Sequence, residues 1–148
     1  MNGKLSWSIF WALVGVFVVI ACVFFIPAVG ELLMGFLFLI ISGAVFLLLG
    51  VALIFFTVKE KVGGMLKKFL ILTGASSAGF FVSILLHNAF YGLLIYWFGA
   101  DFWNGGDEPF FFIMAIFVCP LGFLVGAVGS IVLAIKRLRM VKKYPSLQ

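Results

Sequence analysis

Charge is what this chain has least of. No Asp, Glu, Lys or Arg occurs in 5–30, 32–58, 69–100 or 109–135. Charged residues make up 10% of the whole, against about 25% in an ordinary soluble domain. With 66% of its 148 residues hydrophobic and 20 of them Phe, the chain cannot hide its apolar surface in a water-soluble fold, because a domain this small leaves much of its surface wet. Cysteine is also scarce. Cys22 and Cys119 each sit in an apolar run, which excludes a disulfide framework. There is one histidine, His87, so a haem held by two axial His ligands from one chain is excluded, and Met34, Met114 or the His of a second copy would have to serve as the other ligand. No carboxylate lies inside an apolar run, which speaks against a proton-coupled exporter of the small drug-exporter class.

What is present is four long apolar stretches, at about 6–26, 32–58, 69–98 and 109–135. Each is long enough to cross the hydrocarbon of a bilayer, which takes about 20 residues. Backbone groups in lipid must be satisfied internally, and runs such as Gly35–Ile41 do not alternate as barrel strands do. The fold class expected is therefore all-α, a single-domain integral membrane four-helix bundle over residues 1–148, with 136–148 as a basic tail.

The ten basic residues set the direction. Lys4 precedes the first span; Lys59, Lys61, Lys67 and Lys68 lie between the second and third; Lys136, Arg137, Arg139, Lys142 and Lys143 follow the fourth. A four-span chain puts all of them on one side, and Glu60 is the only acid with them. By the positive-inside rule both termini are expected in the cytoplasm of a cell with an inner (plasma) membrane. The net charge of +5 is thus explained by topology and anionic headgroups, and no nucleic acid partner is expected.

Trp7, Trp11, Trp97, Trp103, Tyr96 and Tyr144 lie near span ends, as an interfacial aromatic belt does. Pro27–Glu31 reads as a tight hairpin, and Asn104-Gly105-Gly106 as a turn. Asp107-Glu108-Pro109 opens the fourth span: acids favour a helix start and Pro suits its first turn. No nearby His or Cys completes a metal shell around the two acids, so no metal is expected. Val19-Ile20-Ala21-Cys22 has the loose form of a lipoprotein box. However, the apolar run is longer than a signal core and continues past Cys22, so a retained helix is expected.

In the fourth span Ala115, Cys119, Gly122, Gly126 and Gly129 fall on one stripe at 100° per residue. Small residues let helices approach closely in lipid, either within the chain or as the seam of a homo-oligomer or of a contact with another membrane protein. Pro120 removes a backbone donor and is expected to kink or loosen the helix where protein covers it, facing another helix beside Cys119.

The third span holds Thr73, Ser76, Ser83, His87 and Tyr91 within about 40° of one another, with Ser77 and Asn88 at the edge. A polar group pointing at lipid costs several kcal/mol by order of magnitude, so this face is expected to turn inward. His87 and Asn88 would then bond backbone freed near Pro120 or Ser and Tyr neighbours. Alternatively Ser83, His87, Asn88 and Tyr91 enclose a small polar cavity. Ser83 and His87 stand at i,i+4, but no base orienter or oxyanion hole accompanies them, so no catalytic residue and no cofactor is expected.

The segments Leu86-His87-Asn88-Ala89-Phe90-Tyr91-Gly92 and Phe117–Gly126 resemble a group of small prokaryotic four-span membrane proteins of unknown function. The resemblance covers mainly the second half of the chain. It implies a prokaryotic inner-membrane protein and carries no activity. The function expected is a non-enzymatic accessory, assembly or structural subunit; the alternative is a small transporter or ligand-binding membrane protein using the His87 cavity.

Overall fold

In the computed structural model, which describes residues 4–28 and 36–143, every regular element is helical. The spans are α1 (Lys4–Phe25), α2 (Phe36–Lys59) and α3 (Gly64–Phe98), followed by a 3-10 turn (Ala100–Trp103). The fourth span begins as α4 (Pro109–Ile113), passes through a π-helical turn (Met114–Val118) and continues as α5 (Cys119–Lys143). All four are long and apolar enough to cross a membrane, and the chain is an all-α multi-pass membrane protein. The start expected for the second span at residue 32, Glu31, Met34, Tyr144 and most of the 27–31 hairpin lie outside the described residues. Three ends overrun the apolar stretches: α1 starts at Lys4, α3 at Gly64, and α5 continues to Lys143. Lys, Arg and Met are good helix formers, so the helices persist past the hydrocarbon.

Each span packs on the next, α1 on α2, α2 on α3, and α3 on the fourth. The first and fourth meet through Phe17 and Phe123, stacked with ring centroids 4.4 Å apart. Phe46 of α2 lies 5.3 Å from Phe123 and 6.1 Å, edge-on, from Phe80 of α3. One aromatic cluster thus ties all four spans, and each such pair contributes roughly 0.5–1.5 kcal/mol beyond area.

The small residues explain the close approach. A Cβ on Gly126 would meet Thr73 Oγ1 at 2.5 Å, Thr73 N at 2.8 Å and Phe69 O at 3.0 Å. Gly122 faces Ser76 and Gly129 faces the Phe69 ring. The stripe is therefore spent on α3, inside the chain. A second seam joins α2 to α3: Gly50 faces Ser77 Oγ, and a Cβ on Gly74 would meet Gly50 O at 2.6 Å. Both seams depend on glycine because only hydrogen fits between the backbones.

Pro120 is accommodated by the π-helical turn just before it. Proline lacks an N–H and its ring collides with the carbonyl four residues back. Widening the helix over Met114–Val118, with Cys119 N–H bonded to Met114 O, lets the ladder resume beyond the proline.

At the basic end the α2–α3 connection is short. Lys61 adopts a left-handed φ of 51°, and Val62 N–H bonds Thr57 O at 3.2 Å while Lys61 N–H bonds Val58 O at 3.1 Å. This is a Schellman-type stop, and it drops Val62 into the core. At the acidic end, α3 stops at Gly99, whose φ is 91°.

The spans differ in reach. The 22 residues of α1 and 24 of α2 rise about 33 and 36 Å, close to the hydrocarbon thickness of about 30 Å. The 35 residues of α3 rise about 52 Å. Near its C-terminus Tyr96, Trp97 and Phe98 are exposed.

Candidate functional site

His87 lies where the fourth span begins, because α3 outruns its neighbours. Its Nδ1 is 3.1 Å from the Glu108 carbonyl oxygen and 3.3 Å from Glu108 Oε2. Its Nε2 is 3.5 Å from Asp107 Oδ2. Each ring nitrogen faces an oxygen acceptor. A doubly protonated ring donates to both sides, whereas a neutral ring has one donor.

The same acids build the helix start. Phe110 N–H and Phe111 N–H donate to Glu108 Oε1 and Oε2 at 2.8 and 2.9 Å, and Glu108 N–H donates to Asp107 Oδ1 at 2.8 Å. Pro109 occupies the first turn, where a missing N–H costs nothing. Glu108 is buried and Asp107 exposed. Glu108 thus satisfies orphan donors, meets the positive end of the helix dipole and receives His87.

The expected cap is present, but the expected isolation of the two acids from any His is wrong. The 3-10 turn and loop between α3 and α4 fold them back onto His87, about 20 residues away in sequence. The three groups still do not converge on one point, since the ring nitrogens diverge to separate carboxylates. Among the described residues no cluster of three His, Cys, Asp or Glu could hold a metal ion.

The remaining candidate residues separate. Tyr91 lies one turn above His87, with ring centroids 6.5 Å apart, and carries Trp103 stacked on it at 5.9 Å. Trp103 Nε1–H also donates to Tyr91 O at 3.4 Å, which seats the outer loop on α3. Ser83 is buried lower down and shares a hydrogen bond with the Cys119 thiol. Asn88 is exposed, and its Nδ2–H donates to Ile84 O of its own helix at 2.8 Å. His87 and Asn88 therefore do not bond backbone freed near Pro120. Of Ser83, His87, Asn88 and Tyr91, Asn88 borders one of two apolar cavities, and the other three border neither. Thr73 donates to Phe69 O at 2.9 Å and Ser77 to Phe46 O at 3.1 Å. In the stripe Ala115 and Cys119 are buried and Pro120 is half-buried. The two cysteines are free.

Two features escape sequence reasoning. The first is Glu60. Ser6 Oγ–H, Ser6 N–H at 3.0 Å and Leu5 N–H at 3.2 Å all donate to its carboxylate. The Ser6 hydroxyl, helped by the two amides and opposed by desolvation, holds Glu60 below the usual carboxylate range. Its signal was its position as the lone acid on the basic side. The second is a pair of apolar cavities beside the acidic half of α1. One, of about 310 Å³, lies between α1, α3 and the fourth span. The other, of about 550 Å³, lies between α1, α2 and α3 and reaches Asn88. No family model, curated protein or solved structure matches the chain.

Proposed function

We propose that this protein is a non-enzymatic accessory, assembly or structural subunit of a prokaryotic inner membrane, with its basic end in the cytoplasm. The observation that carries the reading is the fate of His87. Intramembrane ionisable residues are functional candidates by default, yet both ring nitrogens of His87 are engaged by Asp107 and Glu108 of the same chain. The polar face of α3 serves the fold, which leaves contact with neighbours as the business of the protein. The distribution of Lys and Arg supports the orientation. The likeness of Leu86–Gly92 and Phe117–Gly126 to small prokaryotic four-span proteins supports the setting.

The alternative, a transporter or ligand-binding protein with a polar cavity at His87, finds no observation in its favour at that residue. The test is purification in mild detergent with native lipids, followed by cross-linking and mass spectrometry. Cross-links to one recurrent membrane protein support the subunit reading. A small polar molecule that is reproducibly retained, and lost in a folded His87→Ala variant, would replace it with the alternative.

A further inference from the structure

We infer that the acidic half of α1 and its neighbours hold one acyl chain of a membrane phospholipid, with its headgroup at Asn88. This goes beyond the subunit reading and does not depend on it.

The cavities are unusual for their position. At the basic end Ser6, Phe10 and Leu13 of α1 are inaccessible and Glu60 is fastened to its first turn. Toward the acidic end Val23 is buried, while Ile20, Ala21, Phe24 and Phe25 border open space. Ile20, Phe24, Phe80 and Ile84 border both cavities, so the two spaces flank one gap between α1 and α3.

The walls select the occupant. Among the described residues the lining, apart from Ser76, Cys119, Ser42 and Asn88, is hydrocarbon and aromatic, and none of it is charged. A hydrated or ionic ligand would lose its solvation there without compensation. Size excludes a partner helix, which is about 10–12 Å across with its side chains. Volumes of about 310 and 550 Å³ suit a slender chain or small ligand, in the ordinary range for bound molecules of roughly 300–1,000 Å³. Depth points to lipid, because the gap runs through the leaflet at the acidic end, where acyl chains are the solvent.

Asn88 supplies the polar end. It borders the larger cavity close to the level where α1 ends and the fourth span begins. One amide N–H is used on Ile84 O, and the residue is exposed. An exposed carboxamide at that depth suits hydrogen bonding to a headgroup or glycerol ester.

The test uses the full-length protein in vesicles containing phosphatidylethanolamine with a diazirine midway along one acyl chain. Photolabelled peptides are mapped by mass spectrometry. We expect labelling of 17–24 and 80–88 to exceed severalfold that of Val125 and Val128, which are exposed on the outer face of α5. Ala21→Trp and Ile84→Trp, each filling the gap, should cut the cleft signal severalfold, and Val128→Trp should not. Gel filtration and circular dichroism report folding, and the wild-type comparison stands alone if a filled variant misfolds. Equal labelling of cleft and outer face overturns the inference. So does rapid, complete disulfide formation in a Phe24→Cys/Ile84→Cys pair, which would mean that α1 closes the gap. Cross-linking of a single Phe24→Cys to a second copy would place protein there instead and overturns it as well.

Discussion

Glu60 stands alone among the cations of its end of the bundle, and its carboxylate gathers three donors from the first turn of α1. A carboxyl held below its ordinary range stabilises the fold fully above its unfolded value of about 4.3. That stabilisation is lost as pH falls through the depressed folded value. Glu60→Gln should therefore lower the melting temperature at pH 7, and the gap from wild type should narrow at pH 3.5. The same gap at both values, by thermal unfolding in detergent, would show that the ionised form is not what fastens α1. His87 teaches a related lesson. Its inward company was legible in the sequence, because an imidazole in a long apolar run needs partners. The identity of those partners was not legible. Asp107 and Glu108 read fully as a helix cap, and only the path of the loop reveals that one carboxylate serves cap and His together. Glu60 was hidden for the same reason, since its donors lie 54 and 55 residues away.

Seams decide the helices' positions. Hydrocarbon is as apolar as leucine, so spans gain from contact rather than from leaving water. The stripe in α5 was visible from spacing alone, as it repeats on one face. The α2–α3 seam was not, because Gly50 and Gly74 are single glycines on separate helices and matter only once they oppose each other. The π-helical turn was likewise invisible: Pro120 announced a disturbance but not whether the helix would kink or widen. Gly126→Leu should force the backbones of α3 and α5 apart and destabilise by roughly 1–3 kcal/mol or more, as overpacking does. Leu124→Ala, at an exposed position, should cost far less. Thermal stability in detergent compares them, and equal tolerance of both would remove the seam from the account of packing.

The four spans and their common basic end follow from where charge is missing and where it collects. Their relative heights do not. An apolar run of 30 residues looks like one generous span, whereas α3 runs on past the level where His87 meets Glu108 at the start of the fourth span. The two ends of α1 also differ: one is fastened by Glu60 and the other borders the two cavities. Segments with few packed contacts open most readily, so α1 should move as a lever about its basic end. Spin-label pairs on α1 and α3 can measure this, with one pair at Ser8 and Lys68 and another at Phe25 and Leu85. We expect a narrow distance distribution for the first pair and a broader one for the second, and Glu60→Gln should broaden the first. Equal widths at the two ends in wild type would mean that α1 is held rigidly along its whole length, and the lever would have to be abandoned.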